Sequence, residues 1–370
     1  MFATPPYHAG MSSNGVRCAV SNPLLERLCI AHPLLQAPMA GVSTPGLAAA
    51  VSDAGALGAI GIGASAIDAA RTMIEDTRAL TDAPFNVNVF CHAPARRDAA
   101  RETAWIARLA PEFDALGAPV PDALHEIYPS FRGNDAMLAL LLALRPAVVS
   151  MHFGLPDAAQ LDALRAAGIV MLASATNLDE ARAIERAGID AIVAQGIEAG
   201  GHRGVFDPDA RDECLPTATL TRLLVQRTGL PVIAAGGIMD GRGIRAALDL
   251  GASAAQLGTA FIACPESAAS AGHRAALQDA RAWRTRLTRV LSGRPARGIA
   301  NRFIDGFDAV AGDVADYPVA YDAAKQLSAA AGRRGLADDF AAHWAGQGAP
   351  LSRAMPAGAL VRQLLDEHAG

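Results

Sequence analysis

Lysine is almost missing from this chain. Of its 32 basic residues, Lys325 is the single lysine and the other 31 are arginine. So general a replacement points to a compositional bias. A position that keeps lysine then becomes a candidate for work that needs a compact, flexible ammonium rather than a planar guanidinium. Aromatics are also scarce, at 5%; small side chains dominate, which suits helices packed closely on strands better than an all-β sandwich. Five scattered cysteines (Cys18, Cys29, Cys91, Cys214 and Cys264) form no C-x-x-C pair. Neither a disulfide framework nor a metal site of the zinc type is expected, and a reducing, cytoplasmic setting fits. There is no basic run interleaved with aromatics, and the net charge is only −5, so nucleic acid is not an expected partner. No stretch is long and apolar enough to span a bilayer. Residues 1–23 hold Pro, Gly, Ser and Asn without an apolar stretch of signal-peptide length, and are read as a loose leader.

What the chain does have is a regular alternation. Apolar runs fall at 34–39, 57–62, 84–90, 146–153, 169–174, 189–194, 231–235 and 254–257. Helical stretches rich in Ala, Leu and Arg fall between them, at 45–55, 65–80, 96–109, 134–144, 157–167, 178–187, 217–228 and 241–250. Asn177 and Asp240 stand where helix N-caps belong, and Gly168, Gly188 and Gly251 where helices should stop. Strands buried on both faces read as continuous apolar runs. Eight strand–helix repeats predict an α/β fold, the closed (β/α)8 TIM barrel. A doubly wound open sheet is the competing architecture, but its usual fingerprint, an early G-x-G-x-x-G turn with a ribose-binding acid further on, is missing. The predicted organisation is a barrel over 24–265 and a smaller C-terminal covering region over 266–370, with a short β excursion near 287–299 and then helices. Two connections, 91–133 and 195–216, are long, and such loops are usually functional or mobile.

In a barrel of this type, sites form at the C-terminal ends of the strands. Met39 closes the first run, Asn88 lies late in the third, His152 lies at the end of the fourth and Ser174 ends the fifth. Gln195 and Gly196 follow the sixth, Gly236 and Gly237 the seventh, Gly258 and Thr259 the eighth. The seventh and eighth loops are neighbours, and glycine lets backbone N–H groups approach a dianion closely. The cofactor is therefore expected to carry a phosphate. The segment GIEAGGHRG (196–204) sets His202 among glycines and away from any apolar helix face. A neutral imidazole there can take a proton or donate to a developing oxyanion. His152, inside a buried run, is open to a structural hydrogen-bonding role or to a role in the site. In YPVAYDAAK (317–325), Tyr317, Tyr321 and Lys325 fall at i, i+4 and i+8, on one face of a predicted helix. That face is either a half-buried aromatic edge with a solvated lysine, or a lid that presents two phenols and a cation to an anionic substrate.

QAPMAG with the following SDAGALG, then FNVNVF, VSMHFG, AQGIEAGGHRG, AAGGIMDGRG, QLGTAF and SGRPARGIANRF resemble, in order and spacing, the nitronate monooxygenases. The match runs from about residue 30 to 330. Tyr128 upstream of SMHFG, with the Tyr317, Tyr321 and Lys325 pattern, resembles the class I branch. The resemblance implies FMN in the barrel beneath a smaller covering domain. It implies cofactor contacts from Ala37, Pro38, Met39, Asn88, Ser174, Gln195, Gly200, Gly201, Gly236, Gly237, Gln256, Gly258 and Thr259, with Ser292 near the flavin edge. His202 matches the family's catalytic histidine, and Tyr128, His152, Tyr317, Tyr321 and Lys325 would line the substrate pocket. The implied activity is oxidation of an alkyl nitronate, such as propionate 3-nitronate, by FMN and O2 to a carbonyl compound and nitrite. Lys325 and a protonated or hydrogen-donating His202 would attract the anion, and His202 would be the base toward neutral nitroalkanes. Two rival readings are an FMN-dependent NAD(P)H reductase of quinones or enoyl thioesters on the same barrel, and a non-catalytic barrel that senses a phosphorylated ligand. The expected partners are a small anionic substrate and O2, with a homodimer as candidate assembly and no membrane.

Overall fold

The computed structural model describes residues 22–370. The eight apolar runs form parallel strands β1 (Leu34–Gln36), β2 (Gly58–Gly61), β3 (Phe85–Phe90), β4 (Val148–His152), β5 (Val170–Ala175), β6 (Ala191–Gln195), β8 (Val232–Ala235) and β9 (Ala254–Leu257), with the two-residue β7 (Gly201–His202) outside their sheet. The hydrogen-bonded order is β1-β9-β8-β6-β5-β4-β3-β2. A parallel bridge between Leu35 and Leu57 brings β2 back to β1, so the sheet closes as a (β/α)8 barrel. The runs are apolar throughout because both faces are covered. Leu35, Leu172, Val193 and Ile233 share a core with Leu24 and Leu28 of the helix α1 (Pro23–Leu28), while Val87, Val149, Met171 and Ile192 pack among the outer helices.

The helix α1 plugs the N-terminal end of the barrel. Asn22 caps it by accepting from the Leu24 N–H, and its Nδ2 donates to the Ser253 carbonyl just before β9 (2.7 Å). Six residues do not hold a helix alone; burial of Leu24 and Leu28 stabilises this one by roughly 1.5–3 kcal/mol for each side chain. The other mouth is left for a site. Of the expected leader, residues 1–21 lie outside the described residues, and Asn22 and Pro23 already cap and begin α1.

Between the strands run α2 (Pro45–Asp53), α3 (Ile67–Leu80), α4 (Ala99–Leu116), α5 (Asp135–Leu144), α6 (Ala158–Ala166), α7 (Leu178–Arg186), α8 (Thr217–Arg227) and α9 (Gly241–Asp249). Asn177 and Asp240 do cap α7 and α9, accepting from the Glu180 and Gly243 N–H groups at 2.9 and 2.8 Å. Gly168 and Gly188 end α6 and α7 with φ of +75° and +69°, where a Cβ would be strained. One helix is longer than its sequence pattern suggested. The helix α4 continues past 109 and through Pro111 because Trp105, Leu109, Phe113 and Leu116 form one buried stripe, and the N–H that Pro111 lacks leaves unpaired only the carbonyl of exposed Ala107, which water can reach.

After β9 come α10 (Thr259–Ile262), α11 (Ala271–Gln278), β10 (Thr285–Thr288), β11 (Ala296–Ile299), α12 (Arg302–Phe307), α13 (Val319–Arg333), α14 (Ala337–Phe340) and α15 (Ala357–Ala369). The β excursion is a hairpin, β10 with β11, and its second strand pairs with β7, matching Ala296 to His202. Trp105 and Phe113 of α4 share a core with Phe303 of α12, Leu327 of α13 and Phe340 of α14. The last helix returns to the barrel wall, where Leu360 and Leu364 pack with Val51 and Ile244. One expectation is corrected here. Tyr317 is not on a helix with Tyr321 and Lys325: α13 begins at Val319, after Pro318, so Tyr317 reaches the same region from the preceding loop.

Candidate active site

A cavity of about 830 Å³ occupies the C-terminal mouth of the barrel. Every residue expected from the sequence to touch cofactor or substrate lines it except Ser292, which is 1% exposed and lies behind His202; Gly196, at the end of the sixth run, does not line it.

The loop that carries His202 is fixed from several sides. The His202 carbonyl accepts from Gln195 Nε2 (2.9 Å) and His152 Nε2 (3.1 Å), and Gln195 Oε1 accepts from the Gly204 N–H (2.7 Å). Buried Arg203 donates to the carbonyls of Gln195 and Gly196 and pairs with Asp212 at 2.7 Å. Burial works against the Asp212 carboxylate, but hydrogen bonding and charge from Arg203 outweigh it and hold its pKa below the usual range.

Hydrogen-bond donors fix the two tautomers. A carbonyl only accepts, so His152 Nε2 carries the proton given to His202, and His152 Nδ1 accepts from Ser174 Oγ at 2.9 Å. Both nitrogens of His152 are therefore engaged by the protein. Ser292 Oγ has a single proton: with it on the Arg294 carbonyl, which can only accept (3.1 Å), the oxygen accepts from His202 Nε2 (2.9 Å). His202 Nδ1 keeps its lone pair and has no partner among the described residues. The ring is packed by Trp344, Tyr317, Phe153 and Tyr321, with centroids 5.2–6.0 Å away. Burial, then the charge of Arg294, pushes the His202 pKa down to about 3. The resting imidazole is thus neutral at physiological pH, which leaves the hydrogen-donating one of the two forms expected for His202.

Attraction of an anion falls to Lys325. Its Nζ stands 4.9 Å from the Tyr128 ring centroid and 5.6 Å from that of Tyr321, with no acidic side chain within 4.0 Å among the described residues. Burial lowers its pKa from the ordinary lysine value. Burial also raises the Tyr128 phenol to about 12 and pushes Tyr317 and Tyr321 up as well, so all three remain donors.

Across the mouth, the N–H groups of Gly236, Gly237, Gly258 and Thr259 find no acceptor among the described residues. Gly236 and Gly237 have φ of +125° and +70°. A Cβ on Gly236 would lie 2.7 Å from Thr217 Oγ1. Glu198, which could repel an anion here, is occupied by the Thr217 N–H and hydroxyl at 2.9 and 2.8 Å.

Segment 341–348 is the part sequence reasoning missed. Trp344 covers His202 at 5.2 Å, and the Gly346 N–H donates to Thr259 Oγ1 at 2.9 Å. A Cβ on Gly200 would stand 2.5 Å from the Gly346 nitrogen. The available signal was a scarce tryptophan followed by glycines in HWAGQG. Phe153, also missed, holds φ of +73° beside His202, a rare value for a bulky residue.

The nitronate monooxygenase family model matches residues 21–367. The chain belongs to that family. Among nitronate monooxygenases, the protein from Paraburkholderia phytofirmans is 59% identical over 92% of this chain and 93% of its own length. The one from Pseudomonas aeruginosa is 56% identical over 93% and 98%. The crystal structure of nitroalkane oxidase from Streptomyces ansochromogenes superposes with a TM-score of 0.86 at 42% identity, covering 94% of this chain and 98% of that one. This member of the nitronate monooxygenases is accordingly an oxidoreductase on a TIM barrel.

Proposed function

We propose that this enzyme holds FMN across the barrel mouth and uses it with O2 to oxidise alkyl nitronates, of the propionate 3-nitronate type, to a carbonyl compound and nitrite. The observation that carries the reading is one cavity in which a neutral imidazole with a free Nδ1 faces an unpaired ammonium and a cradle of unpaired backbone N–H groups. The residues present fit FMN. The cradle suits its phosphate, since unpaired N–H groups bind a dianion without a fixed cation. Backbone from Ala37 to Met39 and the side chains of Asn88 and Gln256 line the space beside it. Bound there, FMN supplies the electron acceptor between nitronate and O2.

The chain's own residues then have separable tasks. Lys325 attracts the anion in a pocket poor in competing water, where charge–charge interactions are strong. The phenols of Tyr128, Tyr317 and Tyr321 donate hydrogen bonds. His202 Nδ1 takes the α-proton when the substrate is a neutral nitroalkane. Gln195 and His152 keep the His202 loop in place.

Purified protein should be yellow, consume O2 with a nitronate, and bleach anaerobically with the nitronate but not with NADH. Rapid bleaching by NADH would instead favour an NAD(P)H reductase on this barrel. A colourless protein that FMN cannot reconstitute would leave only ligand sensing. Lys325→Met should raise KM for a nitronate roughly 10–100-fold, as expected for a lost charge-assisted contact, with kcat changed only a few-fold. Because burial lowers the Lys325 pKa, wild-type affinity for the anion should weaken as pH rises through a value below the ordinary lysine range. Steady-state O2 uptake against pH tests both statements; an unchanged KM in the methionine variant removes Lys325 from substrate binding.

A further inference from the structure

Arg203 and Arg294 are both buried beside the site, at 1% and 2% exposure. Arg203 has Asp212. Arg294 has no carboxylate within 4.0 Å among the described residues. Glu180 and Asp316 are the nearest acids to influence it, but Glu180 accepts from the Thr176 and Phe206 N–H groups and Asp316 is engaged by Arg96. Its other charged or titratable neighbours are Arg289 and Tyr317. The guanidinium donates to the Val205 carbonyl, leaves Nε without a partner, and lies 4.3 Å over the Phe153 ring. A methionine or leucine would fill such a space without the cost of an uncompensated charge. Phe153 adds backbone strain at φ +73°, and strain held by its surroundings gathers at functional sites.

Both features converge on His202. The Phe153 ring meets the imidazole edge-on at 5.7 Å, so the cation and the imidazole share this ring as a neighbour. The Arg294 backbone takes the Ser292 hydroxyl proton through its carbonyl and gives its N–H to Ser292 Oγ at 3.3 Å. Ser292 is left only as an acceptor toward His202 Nε2. The other groups around His202 are His152, His92, Tyr317, Tyr321 and Lys325, and none is a carboxylate. We propose that Arg294 is a positioning residue for His202: its backbone, through Ser292, leaves Nδ1 to the cavity, and its buried charge, beside Phe153, keeps the resting ring free of a second proton, so that Nδ1 is vacant to take one from substrate. This deepens the reading of His202 as a base and rests on it, yet the imidazole can be observed without turnover, so the two ideas fail separately.

The test is NMR of the holoenzyme carrying 13C- and 15N-labelled histidine, with the His202 signal assigned by its loss in His202→Asn. In the wild type, the ring should stay neutral with Nε2 protonated at every pH down to about 5, well below the ordinary histidine midpoint. A protonated Nδ1, or a midpoint near the ordinary value, overturns the proposal. In Arg294→Met the midpoint should rise by at least about one unit, a tenfold gain in proton affinity, and the acid limb of kcat/KM for a neutral nitroalkane should rise with it. Arg294→Lys should keep the wild-type midpoint. Equal behaviour of the methionine and lysine variants, shifted or unshifted, overturns the role of charge. Ser292→Ala covers a methionine variant that does not fold: it should lose the tautomer preference while the midpoint stays low, and a midpoint near the ordinary value would overturn the proposal.

Discussion

His202→Asn should lower turnover of a neutral nitroalkane about 10²–10⁴-fold, the range a positioned acid–base group contributes, while FMN stays bound. Asparagine has no basic nitrogen and is too short to keep the 2.9 Å contact that His202 makes with Ser292. His202→Gln separates these losses. Its amide can stand where Nε2 stood and still donate to Ser292, but it offers no lone pair in place of Nδ1. Equal losses in the two variants place the effect on the basic nitrogen. A loss in asparagine alone would make His202 a structural post. A nitronate has already lost its proton, so on that substrate both variants should lose much less. Steady-state O2 uptake with each substrate, normalised to bound flavin absorbance, reads all of this. Unchanged kcat/KM on the nitroalkane in His202→Gln would remove the base.

The barrel was legible because its strands are buried on both faces. A continuous apolar run such as 189–194 has few other uses, and the structure sets β6 at Ala191–Gln195. The glycine-flanked His202 was legible for the opposite reason: no helix or strand pattern accounts for a histidine there. The misread features depend on contacts distant in sequence. Tyr317, Tyr321 and Lys325 have helical spacing, and Pro318 between them suits a first turn; only the observed start at Val319 leaves Tyr317 outside. Helix α4 looked finished at 109 because Pro111 outweighs local propensity, whereas its stripe of Trp105, Leu109, Phe113 and Leu116 is decided by packing in the core shared with α13. Trp344 reaches His202 from more than a hundred residues away, and no periodicity links them. The choice between a protonated and a neutral His202 was unreadable for a similar reason, since Arg294 and Ser292 become its neighbours only when β11 pairs with β7.

Gly237→Val should weaken FMN roughly 10–10²-fold and riboflavin far less. Gly237 sits at φ +70°, where a side chain costs about 1–2 kcal/mol and a β-branched one is least tolerated. Its Cβ would stand 3.3 Å from the Glu198 Cβ, pressing on the residue whose carboxylate holds the Thr217 N–H. If the backbone turns away to relieve this, its N–H no longer aims at a phosphate. A hydrogen bond to a charged group contributes about 1.5–3 kcal/mol. The strain is present with and without ligand, so the loss of affinity is that of the bond, and each 1.4 kcal/mol is tenfold in affinity. Titration of the apoprotein with both flavins measures the difference. Riboflavin lacks the phosphate, so a wild-type preference for FMN that collapses in the variant locates the dianion at the loop after β8. Parallel losses for the two flavins would mean that valine had only disturbed the mouth, and undiminished FMN affinity would take the phosphate away from these glycines.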